Sequence, residues 1–553
     1  MPWSDGSLAS IELYPGKPAL MLWITNANII TLDASQPAVR ALLIDRGRVI
    51  AIGEGADHLA ANLLDVEKLD AGGRTILPGL TDAHIHLELY ALGLQKINCE
   101  TDTKAECLQR VAERTAGSAP GEWILGHGWN QNVWADGFGN LTDLDQIAPH
   151  NPVYLTAKSV HAAWANSAAL RLANLTDTSP DPDGGSLGRD AQGRLTGILF
   201  ENAMGLVERT IPEPQIDHVE AAIREAMPVF WRFGLTGVHD FDRRRCFMAL
   251  QNLRQQGELK LRVIKSVPID ELPHAVALGL QSGFGDEFLT IGSVKGFADG
   301  ALGPQTAAML APYENSPQNR GMLLLDAEEL FERGRPAVEN GLSLAIHAIG
   351  DRANHEVLKA YAQLRAVEAS LPGYQPERRL RHRIEHVQVI HPQDIRRLAE
   401  LGVIASMQPI HATSDMLIAD RYWGSRAALS YAWRTQQGAG ATLAFGSDAP
   451  VESPNPFWGL HAAVTRRRLD GSPGVDGWYP EQRLTLLEAL HGFTTGPAYA
   501  AGREDRQGRL AAGYFADLLV LDEDPFTIPP EALAELAPVG TLLGGEWVYR
   551  DFE

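Results

Sequence analysis

The sequence predicts an α/β protein built on a TIM-like (β/α)8 barrel, with a β-sandwich from both chain ends and an α+β insertion after strand one. Three observations predict it. Between about Leu80 and Tyr499, short apolar runs alternate eight times with segments whose apolar residues recur every three or four positions. Both chain ends instead read as short β-branched strands punctuated by Gly, Asp and Asn. The gap after the first barrel run, about 150 residues, is too long for a single βα unit.

Taken in order, residues 1–19 read as a loose leader with Gly, Ser and Pro and no periodicity. LWITNANIITLD, RALLIDRGRVIAIG and GGRTILPG then carry the first β-rich module, and GRLAAGYFADLLVLDEDP and VGTLLGGEWVYRD return to that style at the far end. Isolated small sheets are only marginally stable, so the two fragments are expected to complete one sandwich, residues 1–78 with 500–553. The barrel, 79–97 with 210–499, takes its strands from TDAHIH, TGVHD, LRVIKSV, SVKGFAD, LSLAIHA, RHRIEH, VIASMQ and TLAFGSD. Helical segments such as VEAAIREAMPVFWRF and DAEELFERGRPAVENG lie between them. The insertion, 98–209, holds Trp- and Gly-rich turns in GEWILGHGWNQNVWADG and GGSLGRDAQGRLTGILFENA.

Composition excludes several classes. The 553 residues carry 48 basic and 69 acidic side chains, a formal charge of −21, which argues against nucleic-acid binding because phosphate contacts need clustered Lys and Arg. With 45% hydrophobic and 21% charged residues, large cores can form. Cys99, Cys107 and Cys246 make no disulfide framework, no basic secretion start precedes Lys17, and no run reaches the ~20 apolar residues of a membrane span. The expectation is a cytoplasmic protein with no nucleic-acid or membrane partner. Its partner is a small-molecule substrate, with a homodimer as the candidate assembly.

The chemistry sits at the ends of the barrel runs. His84 and His86 are two apart on strand one, so both imidazoles share a face. Lys295 lies on strand four, His347 on strand five, His386 on strand six and Asp448 at the end of strand eight. Each has a bland reading alone: a lone His in an apolar strand is more often a hydrogen-bonded core residue, and Asp448 in FGSDAP could cap a helix. Six ligand-capable residues on five strand ends are harder to assign to chance, because those ends converge on the face where barrel enzymes place their sites. Lys295 is the most informative. An ammonium inside an apolar strand is costly to bury unpaired, and burial exposes a neutral amine that can add carbon dioxide to become a carbamate.

HIH, VKGFADGALG, LAIHAIGD, RIEHVQ, SMQPIHATSD and GSDAPV, in that order from ILPGLTDAHIH to GYFADLLVLD, together resemble the amidohydrolase superfamily, in its amidohydrolase-3 (YtcJ-like, N-substituted formamide deformylase-like) branch. The resemblance implies a metal-dependent hydrolase with two divalent ions, expected to be Zn²⁺. His84, His86 and Asp448 would hold one ion, His347 and His386 the other, and carboxylated Lys295 would bridge them. It also implies hydrolysis of a non-peptide C–N bond (amide, formamide or cyclic amide) by a metal-bridging hydroxide, with Asp448 as general base and then acid. Mononuclear deaminases of the superfamily usually carry a Glu shortly after the strand-five His. Here Ala-Ile-Gly-Asp351 follows His347, which favours the two-metal hydrolase.

Substrate contacts are expected from His161 and Trp129 in the insertion and from Gln408 and His411 after strand seven. Two readings stay open beside the main one. The same centre could act on an ester, lactone or phosphotriester, since activated hydroxide does not select its electrophile. The protein could also be a metal-binding regulator without turnover. No H-E-x-x-H or P-loop motif is present.

Overall fold

The computed structural model describes residues 21–131, 133–158, 161–314 and 316–552; the leader reading for 1–19 lies outside the described residues. The chain divides into two compact units, one of Met1–Leu87 with Arg224–Glu553 and one of Glu88–Ile223.

The first unit is organised by an eight-stranded parallel sheet in sequence order. Its strands are Leu80–Ile85, Leu235–Asp240, Arg262–Pro268, Leu289–Phe297, Leu344–Ala348, Arg383–His386, Ile404–Met407 and Leu443–Phe445. They coincide with the eight runs legible in the sequence, and most are buried along their whole length, as strands covered on both faces must be. The sheet curls into a barrel whose seam is bridged by backbone bonds just beyond the last strand. The Asp448 N–H donates to the His84 carbonyl at 2.7 Å and the His86 N–H to the Ala449 carbonyl at 2.9 Å. Helices with an apolar stripe cover the outside. Ala327–Glu339, for example, is capped by Asp326 accepting from the Glu329 N–H, and buries Leu330, Ala337 and Val338.

Two smaller sheets in the same unit draw on both chain ends. In the six-stranded sheet, Thr75–Pro78 pairs antiparallel with Leu518–Leu521, residues more than 400 apart in sequence. Met21–Thr25, in the four-stranded sheet, alternates half-buried and buried side chains, so Leu22 and Ile24 point inward. They join Ile29, Leu42, Ile76, Leu518, Val520 and Leu542 in one apolar core.

The second unit is a six-stranded mixed sheet flanked by helices, including Lys104–Ala116 and Leu141–Ile147. Its core is aromatic. Trp129, Trp134 and Trp164 pack together, and each indole N–H finds a carbonyl: Leu155 at 2.8 Å, Thr101 at 3.1 Å and Asn140 at 3.0 Å. All three cysteines of the protein are free thiols and buried. Among the described residues no helix is long and apolar enough to cross a membrane.

Candidate metal centre

The C-terminal ends of strands one and six and the turn after strand eight meet at Asp448. The His84 Nε2 lies 3.3 Å and the His86 Nε2 3.6 Å from the same Asp448 oxygen, Oδ1. The other nitrogen of each ring is engaged by a carboxylate. His84 Nδ1 is 2.7 Å from Glu385 and His86 Nδ1 is 3.0 Å from Asp242. A carboxylate only accepts, so each Nδ1 carries a proton, which leaves each Nε2 able to offer its lone pair to a cation held between the rings and Asp448. This is how ligating histidines are usually fixed.

Asp448 reaches this position through an unusual backbone. Its φ is +61°, in the left-handed region that few residues other than glycine adopt. The residue two before it is Gly446, where a Cβ would sit 2.4 Å from the His84 nitrogen. Asp82 locks the same junction by accepting from the N–H groups of His84 and Ser447 and from the Ser447 hydroxyl. His386 is also left-handed, at φ +76°. Strand alternation points Arg383 and Glu385 inward and would turn His386 away. The altered φ returns its ring to within 4.9 Å of His84 and 4.5 Å of His347, centroid to centroid. Such backbone typically costs about 1–3 kcal/mol and clusters at working sites.

The remaining expected ligands are less organised. The Lys295 Nζ lies 4.8 Å from the Phe241 ring and 4.7 Å from the Phe297 ring, and among the described residues it makes no hydrogen bond or ion pair. Burial pushes its pKa down to about 8, against the opposing pull of Glu385 and Asp448. His347 places Nε2 2.9 Å from the Gly300 carbonyl, so the structure brings its ring beside His386 with that nitrogen already engaged. Burial and then Lys295 hold His347 down to about 3. Asp448 moves the other way: burial raises it to about 6, partly offset by His86 and Lys295.

Among the expected substrate contacts, Gln408 stands behind the site, its Oε1 2.9 Å from His386 Nδ1. His411 faces inward, its ring nearly parallel to His386 and its Nε2 4.0 Å from Asp448 Oδ2, buried and without a hydrogen-bond partner among the described residues. In the second unit, Trp129 is fully buried in the aromatic core, so a packing role replaces the expected substrate contact. His161 is exposed there, with Nδ1 3.0 Å from Glu201.

Three residues that sequence reasoning missed complete the arrangement. Glu385 is wholly buried. Burial would raise its pKa, yet the Arg383 guanidinium, Lys295 and hydrogen bonds from Arg383 and Ser406 outweigh it and hold the group below the usual carboxylate range. Arg383 also donates to the Ala83 carbonyl and contacts His239 Nδ1 at 2.8 Å. Asp242 holds His86. Its neighbour Asp240 pairs with the buried Lys265 at 2.9 Å, so the His239-Asp240 pair belongs to the structural frame. A charged residue inside an apolar strand, the clue that singled out Lys295, applied equally to Glu385 and Arg383.

The donor set fits a divalent cation: His84, His86 and Asp448 bring one ligand atom each within 4.8 Å of one another, as do His386, His411 and Asp448. Imidazole and carboxylate are ligands suited to Zn²⁺. Histidine and carboxylate donors at the C-terminal mouth of a parallel barrel define the class of metal-dependent barrel hydrolases. Within that class, the chain belongs to the amidohydrolase family, whose profile matches residues 67–549. It is 32% identical over 495 residues to the putative amidohydrolase YtcJ of Bacillus subtilis, covering 88% of this chain and 91% of that one. It is 28% identical to the N-substituted formamide deformylase of Arthrobacter pascens, over 96% and 98% of the two chains. An uncharacterized metal-dependent hydrolase from Pyrococcus horikoshii superposes with a TM-score of 0.76 at 28% identity, covering 92% of this chain and 99% of its own.

Proposed function

We propose that this protein hydrolyses a non-peptide carbon–nitrogen bond of a small molecule, an amide, formamide or cyclic amide, at a centre of two divalent cations. The observation that carries the reading is the convergence of His84 Nε2, His86 Nε2 and Asp448 Oδ1, with each ring backed by a buried carboxylate. The likeness to N-substituted formamide deformylase over nearly the whole chain supports the choice of bond. His84, His86 and Asp448 would hold one ion. His347, His386 and Lys295, carboxylated by addition of carbon dioxide to its amine with loss of a proton, would hold the second. Zn²⁺ suits these donors. When bound, the ions supply Lewis acidity, acidifying water at neutral pH and polarising the scissile carbonyl.

The chain's own groups do the rest. Asp448 accepts the proton of the attacking water and returns it to the leaving nitrogen. A carboxylate raised toward neutrality suits both halves of that task. His411 is the candidate oxygen-binding group. The Gln388 amide nitrogen, 3.5 Å from His411 Nδ1, faces it as a donor, which leaves the proton on Nε2, where it has no hydrogen-bond partner among the described residues. That N–H can meet the oxygen on which negative charge grows. Glu385 and Asp242 hold the His84 and His86 rings.

The test is elemental analysis of the purified protein followed by turnover assays on N-substituted formamides, hydantoins, N-acyl amino acids and esters. Two ions with turnover confined to a C–N substrate support the reading. Turnover of esters alone reassigns the bond, and bound metal with no turnover on any class favours a regulatory protein.

A further inference from the structure

A cavity of about 670 Å³ lies at the other end of the barrel. Its wall includes Thr290, at the start of strand four, Ser343, just before strand five, and Arg381, just before strand six. Lys295, His347 and His386 lie further along those same three strands, toward the opposite end. The volume is in the range of small-molecule sites.

Six arginines and five carboxylates face this space, and their pairing is uneven. Three carboxylates are already answered: Glu287 by Arg48, Asp286 by Arg254 from outside the wall, and Glu504 by Arg381. Glu377 and Asp505 are exposed. Arg503 is different. It is 3% exposed, and its guanidinium donates only to neutral acceptors: the Glu287 and Asp286 carbonyls, at 3.0 and 2.8 Å, and the Thr290 hydroxyl. Among the described residues no carboxylate comes within 4.0 Å of it, so it is a buried cation with no carboxylate in direct contact. Burial, then Arg262 and Arg506, hold its pKa down to about 10, against the opposing pull of Asp517 and Glu287. Arg378 and Arg506, also on the wall, make no side-chain hydrogen bond among the described residues, and Arg506 stands 3.6 Å from Asp505.

We propose that this cavity binds a small oxyanion carrying two negative charges, a dicarboxylate or a tetrahedral dianion. Arg503 supplies the buried charge, and Arg378 and Arg506 supply donors from the rim. An unpaired buried guanidinium is costly and planar forks suit oxyanions, so the occupant completes an ion pair that the fold leaves open.

The experiment is isothermal titration of the metal-loaded full-length protein with sulfate and, separately, with succinate. Binding of either at one saturable site is expected, and the preferred one identifies tetrahedral or dicarboxylate chemistry. Arg503→Gln is expected to abolish that binding. The Arg378→Ser/Arg506→Ser double variant, which disturbs no hydrogen bond of the fold, is expected to weaken it about tenfold with metal content unchanged. The double variant decides the matter if Arg503→Gln does not fold. Absence of saturable binding by both anions overturns the proposal. So does wild-type affinity in the double variant, which would place the anion elsewhere, including at the metal centre.

Discussion

The two halves of the proposed metal centre differ in how far the protein has built them in advance. Around His84 and His86, each ring is oriented by a carboxylate on one nitrogen and aimed at Asp448 with the other. Around Lys295 and His347, the ammonium lies near two aromatic rings with no hydrogen bond or ion pair among the described residues, and the histidine gives its Nε2 to the Gly300 carbonyl. The first half has a carboxylate hydrogen-bonded to each ring, while in the second only Asp299, 3.6 Å from His347 Nε2, stands close to a ligand candidate and none contacts Lys295 among the described residues. A carbamate on Lys295 would supply negative charge there. On the proposed reading, the comparison teaches that the second half would be completed by chemistry on a side chain as well as by folding.

The largest expected effect falls on the group both halves share. Asp448→Asn is expected to lower kcat by about 10³–10⁴-fold, because it removes the proton carrier, while His84 and His86 still retain an ion. Steady-state kinetics together with elemental analysis check it. Lys295→Met then separates the halves: zinc content is expected to fall from about two ions per chain to about one. Loss of both ions would show that the first half does not stand alone.

His411→Phe keeps the ring and removes its Nε2–H. It is expected to reduce kcat about 10²-fold with metal content intact, which is the scale of one oxyanion donor. Asp242→Asn loosens the His86 ring and is expected to weaken metal binding by about 10–100-fold, read by competition with a chelator.

The smallest effect is on stability. The Glu385 pKa is lowered in the folded protein. Its contribution is therefore present above the ordinary carboxylate value of 4.5 and is lost as pH falls through the lower folded value. In metal-free protein, thermal melts from pH 6 down are expected to show a shallower acid limb for Glu385→Gln than for the parent.

Much of this was legible in the sequence, and the exceptions are physical. The eight barrel strands could be read because buried parallel strands are short apolar runs, and their ends could be read because a ligand-capable residue closes most of them. Lys295 stood out because an ammonium in such a run calls for a reason. Glu385 and Asp242 were not read as ring-holders, since the pairing of Glu385 with His84 spans 301 residues and period-two alternation gives a face without naming what meets it. The direction of His386 was hidden for a related reason: alternation turns it outward, and only its left-handed φ brings it back. Trp129, in a Gly-rich segment without periodicity, offered no way to tell an aromatic core from a substrate wall. His347 could be placed on its strand, but not the carbonyl its Nε2 would meet.

The measurement closest to the centre of this account is an anomalous-scattering map from crystals of the zinc-loaded protein. The account predicts one peak bonded to His84 Nε2, His86 Nε2 and Asp448, and a second beside His347 and His386, with carboxylate density extending from the Lys295 amine between them. A map with no peak at His84 and His86, and a bare Lys295 side chain, would contradict it.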